Sequence, residues 1–351
     1  MSGILERARP EIRSLKPYEH AEWDPTLERL HANELPWRAV GDDSSAGLNR
    51  YPEPQPRALV VRLSELYGVA PASVLAGRGS DEAIDLLVRA FCRAGEDAVV
   101  ICPPTFGMYA IAAHIQGAGV KSVALRAEAG FELDAAAVLD ACSPEVKLIF
   151  LCSPNNPTGN RFAERELTRV IEATAERALV VLDEAYVEFA AAPSLASKIE
   201  RWPHLVILRT LSKAYGLAGA RCGALIAHPD IVALLRKIIP PYAIAQLTVE
   251  AALKLLAPAQ IAVSASRREL LCAERARLAS ALARLDGVTR VWPSEANFVL
   301  VDFADAGRAL ARARAALLLV RDVRHHATLG TALRITIGTP EQNDRLLEAL
   351  R

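Results

Sequence analysis

Thr210-Leu211-Ser212-Lys213-Ala214-Tyr215-Gly216-Leu217-Ala218-Gly219-Ala220-Arg221 sets one lysine, two hydroxyls and one arginine around a turn loosened by glycine. A lysine amine can hold an aldehyde as a Schiff base, while an arginine fork and neighbouring hydroxyls can hold a phosphate on the same molecule. A pyridoxal phosphate site requires that combination. The chain has only seven lysines among its 41 basic residues. A lysine placed between the β-rich run 204–209 and a glycine-punctuated loop is therefore a poor candidate for a casual solubilising charge.

Outward from this stretch, short β-rich runs alternate with longer helical patterns from Arg78 onward. Strands are expected at 98–102, 120–125, 147–152, 179–183, 205–209 and 222–227, and helices at 81–93, 106–116, 163–175 and 229–237. Strands that are apolar on both faces and alternate with helices predict an α/β fold with a mostly parallel, covered sheet. Pro240-Pro241 interrupts the alternation. Beyond it, helical stretches at 243–256 and 263–285 and shorter strands at 290–292, 297–302, 318–321 and 332–337 predict a smaller C-terminal α+β domain. Its last helix has a defined start, with Thr339 as N-cap, Pro340 at the first helical position and Gln342 at capping-box spacing. The first forty residues are weakly periodic and carry Pro and Trp, as in an arm that packs on something else. The expected division is an N-terminal arm at 1–40, a large cofactor-binding domain at 41–240 and a small domain at 241–351.

A length of 351 residues exceeds one ordinary domain and supplies ample core. With 41 basic and 41 acidic residues the formal net charge is zero, which argues against a protein that needs a basic field for nucleic acid or a membrane surface. Small-molecule partners fit better. Cys92, Cys102, Cys142, Cys152, Cys222 and Cys272 are scattered without CxxC or Cys/His clusters, so a reducing compartment and no metal are expected. Residues 1–16 are charged throughout with no apolar signal core, and no apolar run approaches the ~20 residues of a membrane helix, so a cytoplasmic location is expected.

Further chemistry-bearing residues follow strand ends. Ser153-Pro154-Asn155-Asn156-Pro157-Thr158-Gly159-Asn160 succeeds the strand 147–152, where ligands of open α/β sheets bind; alone, it would read as an ordinary turn. Asp183 ends an apolar strand, and a carboxylate there needs a partner such as a protonated pyridine nitrogen. Tyr186 and Asn156 can both reach the phenolic oxygen of such a ring. Otherwise Asp183 caps a strand end and Tyr186 fills the core. Gly77-Arg78-Gly79-Ser80-Asp81-Glu82 precedes an amphipathic helix, with Ser80 as expected N-cap and free amides that suit a phosphate, although the same motif serves as a plain cap. Pro103-Pro104-Thr105-Phe106-Gly107-Met108-Tyr109 follows another strand end. Tyr109 either lies on a cofactor ring or fills the core from a helix face.

Taken together, the segments 153–160, Asp183-Glu184-Ala185-Tyr186, the lysine run continued to Cys222-Gly223, and Arg50-Tyr51-Pro52-Glu53-Pro54-Gln55 strongly resemble the fold-type I, class II pyridoxal phosphate aminotransferases. Within them, the closest likeness is to the branch acting on histidinol phosphate. The resemblance runs in order from about Tyr18 to the C-terminal helix. It implies an aspartate aminotransferase-like large domain with a seven-stranded sheet, and amino transfer from L-histidinol phosphate to 2-oxoglutarate in histidine biosynthesis. It also implies roles. Lys213 carries the cofactor aldehyde and serves as general base, Asp183 pairs with the pyridine nitrogen, Asn156 and Tyr186 bond the ring oxygen, and Tyr109 stacks on the ring. Thr210, Ser212, Arg221 and the amides of Ser80 and Asp81 hold the phosphate. Tyr51 matches a tyrosine that reaches the phosphate of the other subunit, which implies a homodimer with shared sites. Arg334, and Arg321 with it, would grip the substrate anion, while Tyr18, Asn33, Tyr242 and Asn297 would line the substrate pocket. The chain departs from the family's usual Asn-Glu-Asn-Pro at Asn33-Glu34-Leu35-Pro36, beside the expected substrate entrance. Aminotransferases for aromatic or other 2-amino acids, a threonine-phosphate decarboxylase, and a non-catalytic cofactor-binding regulator are the competing readings.

Overall fold

The computed structural model of the chain describes residues 3–20, 22–24 and 26–351. Seven short strands form the larger sheet: β1 (Val74–Gly77), β2 (Ala98–Ile101), β3 (Gly119–Ser122), β4 (Val146–Cys152), β5 (Leu179–Asp183), β6 (Leu205–Thr210) and β7 (Gly223–Ile226). Their spatial order is β1-β7-β6-β5-β4-β2-β3. Every neighbouring pair from β6 to β3 is parallel, as the βα alternation predicts. β7 runs against both of its neighbours, β1 and β6.

The central strands β4, β5 and β6 lack a solvent face because alternate side chains feed separate cores. Ile149, Leu151, Val180, Leu182, Leu205 and Ile207 enter one, and Leu148, Phe150, Leu179, Val181, Val206 and Leu208 the other. Each fully buried aliphatic side chain contributes roughly 1.5–3 kcal/mol, so both faces demand a helical cover. Helix Glu164–Ala173 supplies Leu167, Val170 and Ile171 on one side at i, i+3, i+4 spacing. Helix Ser80–Phe91 covers the other with Ile84, Leu87, Val88 and Phe91. The sequence reading left β1 and the helix Arg57–Tyr67 unassigned; that helix buries Leu59, Val60, Leu63 and Tyr67 against the first core.

The smaller sheet contains β8 (Val288–Val291), β9 (Phe298–Phe303), β10 (Arg321–Asp322) and β11 (Ala332–Thr336), antiparallel in the order β10-β11-β9-β8. Helices Pro258–Leu282, Ala306–Ala315 and Pro340–Leu350 close a third core with it around Leu278, Val301, Ile335 and Leu346. The capping box forms as expected. Thr339 Oγ1 accepts from the Gln342 amide at 3.3 Å, and Gln342 Oε1 accepts from the Thr339 amide at 3.0 Å. Helix Gln246–Leu255 packs back on the larger core through Val249 and Ala252.

The two sheets meet where chemistry is expected. The Glu295 amide donates to the Gly159 carbonyl at 2.8 Å, and Arg275 donates to the carbonyls of Phe189 and Ala296 at 3.2 and 2.8 Å. The smaller sheet thus sits on the loops after β4 and β5, leaving a crevice at the carboxyl ends of the parallel strands. Among the described residues, no single helix is long and apolar enough to cross a membrane.

Candidate active site

The reversed strand β7 assembles the first part of the site. Gly223, at its start, lies opposite both Thr210 at the end of β6 and Gly77 at the end of β1. The lysine loop and the start of helix Ser80–Phe91 are thereby brought together. Thr210 Oγ1 donates to Ser212 Oγ at 3.0 Å, while Arg221 donates to Ser212 Oγ at 3.3 Å and to Asp81 Oδ2 at 3.1 Å. Glycine makes this approach possible. A Cβ on Gly79, whose φ is +94°, would lie 2.8 Å from Arg221 Nη2, and one on Gly223 would lie 2.9 Å from the Gly79 main chain. Ser80 is not the N-cap expected from the sequence. Gly79 is the cap, with no side chain bonded to the first turn, so the Ser80 and Asp81 amides begin the helix without competition.

Asp183 forms the floor. It is 2 % exposed; Tyr109 Oη donates to its Oδ2 at 2.8 Å and the Ala185 amide to its Oδ1 at 3.0 Å. Burial pushes its carboxyl up to about 6, against the pull of those two hydrogen bonds. This placement corrects the expectation that Tyr109 stacks on a cofactor ring. Its own ring is stacked on Phe150, with centroids 4.8 Å apart and planes 8° from parallel, behind the cavity wall. Helix Met108–Gln116 turns Tyr109 into the core, whereas Phe106 in the preceding loop lines the cavity.

Lys213, Asn156 and Tyr186 line the same cavity of about 520 Å³. The Lys213 amine lies 5.7 Å from the Tyr186 ring centroid. It opens onto the cavity, yet the enclosing walls, and after them Arg334, lower its pKa from the ordinary lysine value. Tyr186 is buried against Phe298, and burial raises its phenol well above the usual range. Arg334 donates from Nη1 to Asn156 Oδ1, its guanidinium lies 5.1 Å from the Phe298 ring centroid, and its Nε is buried without a partner. Arg321 stands opposite Arg334 in the β10–β11 pair and lines the cavity with it.

The sequence reading missed His325 and His326, which line the cavity from the loop after β10 with ring centroids 4.3 Å apart. Burial, then His325, lowers the pKa of His326. Their signal was present: two adjacent imidazoles four residues beyond Arg321.

Besides Tyr109, five expected residues do not line the cavity within this chain: Tyr18, Asn33, Tyr51, Tyr242 and Asn297. Asn297 sits at the head of β9, where its carbonyl accepts from the Ile337 amide at 2.9 Å. Asn33 occupies an exposed left-handed turn with φ of 56°. Tyr51 is stacked on Tyr242 with centroids 4.7 Å apart; His20 meets Tyr242 edge-on, and Tyr18 meets His20 the same way. Tyr51 is held in that aromatic patch by Glu34, whose side chain is 3 % exposed and accepts from the Tyr51 amide at 2.7 Å and from Arg50 at 2.9 Å. Behind it, the Gln55 side chain pairs in both directions with the Ala76 backbone of β1, at 3.0 and 3.1 Å.

Such an arrangement, with one amine of lowered pKa, one buried carboxylate and two separate sets of anion-binding groups at a sheet's carboxyl edge, defines an enzyme of amine and carbonyl chemistry. Residues 27–350 match the family described as aminotransferase class I and II, and the chain belongs to that family. It is 48 % identical over 354 residues, 100 % of this chain and 97 % of the relative, to a histidinol-phosphate aminotransferase of Stenotrophomonas maltophilia (strain R551-3). Among solved structures, the histidinol-phosphate aminotransferase from Sinorhizobium meliloti, in complex with pyridoxal-5'-phosphate, is similar with a TM-score of 0.77 and 28 % identity, covering 86 % of this chain and 82 % of that one. The L-threonine-O-3-phosphate decarboxylase from Porphyromonas gingivalis has a TM-score of 0.72 and 26 % identity, covering 86 % and 90 %.

Proposed function

We propose that the chain is a pyridoxal phosphate-dependent aminotransferase that moves the amino group of L-histidinol phosphate to 2-oxoglutarate, in histidine biosynthesis. The observation that carries this reading is the pairing of Arg321 with Arg334 at a cavity that already holds a separate anion cradle around Arg221. One cradle serves the cofactor phosphate and the other the substrate phosphate. The near-complete coverage at 48 % identity supports the same substrate.

The residues present fit the cofactor. Gly79 and Gly223 leave room that a Cβ would fill, and among the described residues the Asp183 carboxylate is in no salt bridge and the buried Nε of Arg334 has no acceptor. Thr210, Ser212, Arg221 and the amides of Ser80 and Asp81 would hold its phosphate, Asp183 its ring nitrogen, and Asn156 and Tyr186 its ring oxygen. Phe106 takes the ring-face place expected of Tyr109. When bound, the cofactor supplies an electron sink that acidifies the proton on the amine-bearing carbon. Lys213, whose pKa is lowered by burial and then by Arg334, would anchor the cofactor's aldehyde and then move that proton. Arg334 and Arg321 orient the substrate through a phosphate monoester, where a guanidinium fork binds in two-point fashion.

The remaining parts of the reading are a homodimer, a cytoplasmic location, and the division into arm (1–40), larger domain (41–240) and smaller domain (241–351). Exposed Leu27, Leu30, Leu35 and Trp37 give the arm an apolar surface that a second copy would cover, with Tyr51 reaching the partner's cofactor phosphate. The test is a single-turnover spectrum of cofactor-loaded protein without any 2-oxo acid. Rapid conversion to pyridoxamine absorbance with histidinol phosphate, and not with phenylalanine, is the expected outcome. Preference for phenylalanine moves the enzyme to the aromatic branch, and release of carbon dioxide from threonine phosphate makes it a decarboxylase.

A further inference from the structure

The hydroxyl of Tyr109 has no part in the chemistry above, yet it makes the one side-chain hydrogen bond to Asp183 found among the described residues, at 2.8 Å. The contact is built into the core. Tyr109 is 0 % exposed, its ring lies flat on Phe150 of β4, and Phe106 meets it edge-on with centroids 5.6 Å apart. On the other carboxylate oxygen the Ala185 amide donates at 3.0 Å. Both oxygens of Asp183 therefore face donors, an arrangement that suits the anion and opposes a carboxyl proton. The phenol could accept that proton only by turning its own hydrogen away, toward the sulfur of buried Cys152, a weak acceptor. A buried donor without a good acceptor is costly.

We propose that Tyr109 is a positioning residue for the cofactor's ring nitrogen: it holds Asp183 ionised from behind, so that the carboxylate meets the ring as an anion. This inference rests on the cofactor reading given above. The other ionisable groups facing Asp183 are Asp81 from helix Ser80–Phe91, Cys152 from β4, Tyr186 after β5 and Lys213 after β6. Burial and Asp81 favour the neutral acid, while Tyr109, the Ala185 amide and Lys213 favour the anion. Burial keeps the Cys152 thiol and the Tyr186 phenol neutral.

Tyr109→Phe removes the hydroxyl and keeps the ring that packs on Phe150. The experiment measures pyridoxal phosphate affinity of the wild type and Tyr109→Phe between about pH 5 and pH 8.5, read from the absorbance of bound cofactor. At the alkaline end Asp183 is ionised in both proteins, and the affinities agree. On the acid side the loss of affinity begins about one pH unit higher in Tyr109→Phe, so that near pH 6 the variant binds about fivefold more weakly and near pH 5 about tenfold. Superimposable profiles, or a loss equal at every pH as a packing defect would give, overturn the proposal. A wild type that takes up no pyridoxal phosphate sinks the cofactor reading instead. In that event the infrared carboxyl band that disappears in Asp183→Asn is titrated in the cofactor-free proteins. A higher titration point in Tyr109→Phe upholds the hold of Tyr109 on an ionised Asp183, and an unchanged one overturns it.

Discussion

Behind the carboxyl ends of β4, β5 and β6, side chains of this chain tie the loops to one another, whereas the described residues of the arm proposed at 1–40 leave large apolar side chains exposed. Asn155 shows the first condition. Fully buried, it donates to the Pro104 carbonyl at 2.8 Å and to Thr158 at 2.7 Å and accepts from Thr105 at 2.9 Å, locking two post-strand loops together. Arg209 does the same behind the lysine loop, 2.6 Å from Glu188 and 3.6 Å from Glu184. In the arm, Leu30 is 88 % and Trp37 72 % exposed, and order rests on a few ties such as Glu34 with Tyr51. One region is preorganised by its own fold, and the other presents apolar surface suited to a second copy. Substitutions in the first should therefore act on chemistry inside each chain, and substitutions in the second on assembly.

The largest effect is expected at Lys213. Lys213→Ala should leave the melting temperature within a few degrees of the wild type while lowering turnover by roughly 10³-fold or more, the scale of a lost general base that is also the covalent anchor. Steady-state rates alongside thermal unfolding check this. A variant that unfolds would break the comparison, because the lysine would then belong to the structural lattice of the loop.

Asp183→Asn comes next. It should still take up cofactor but lose turnover on the order of 10²-fold, since a neutral amide cannot hold a cationic ring nitrogen. The cofactor-free protein offers a second measurement. Folding raises the Asp183 carboxyl from 3.8 to about 6, so the fold favours the protonated form. Its contribution to stability is fully present below about pH 4 and is lost as pH rises through 6, a change of roughly 3 kcal/mol for a shift of about two units. Denaturation midpoints from pH 4 to pH 7 should show that decline in the wild type and its absence in Asp183→Asn.

The contrast between the regions also explains what could be read from the sequence. Lys213, Asp183, Asn156 and Arg221 follow apolar strands whose ends are unmistakable, so their place in a sheet-edge crevice was legible. The pairing of Gly77, Gly223 and Thr210 was not, because nothing local to 222–227 states that β7 runs backwards, and that reversal brings Arg221 to Ser212 and Asp81. Tyr109 and Phe106 were confused for a related reason. They stand three positions apart, and only the start of the helix at Met108 decides which aromatic faces the cavity. The adjacent imidazoles of His325 and His326 stood in plain view in the sequence, but only the β10–β11 hairpin shows that their loop reaches the crevice. The arm gave least, because its residues take their positions from tertiary ties such as Glu34 and Gln55 rather than from periodicity.

The smallest effect is expected at Glu34, and it sharpens the comparison most. Glu34→Ala removes the acceptor for the Tyr51 amide and leaves Arg50, 2.9 Å away, and Arg29, 3.5 Å away, without their shared carboxylate. None of these side chains belongs to the buried cores, so unfolding of the lone chain should change little. If Tyr51 completes the cradle of a second subunit, loosening it should weaken cofactor binding by about tenfold, the scale of one lost charge-assisted hydrogen bond. The loss should be accompanied by dissociation of the dimer at higher protein concentration than in the wild type. Tyr51→Phe, which removes only the hydroxyl, should reproduce the loss of cofactor affinity without changing assembly. Affinity measured across a dilution series, with sedimentation at each point, separates the two. Wild-type affinity in Tyr51→Phe at every dilution would place the whole phosphate site within one chain, and the arm would then serve assembly alone.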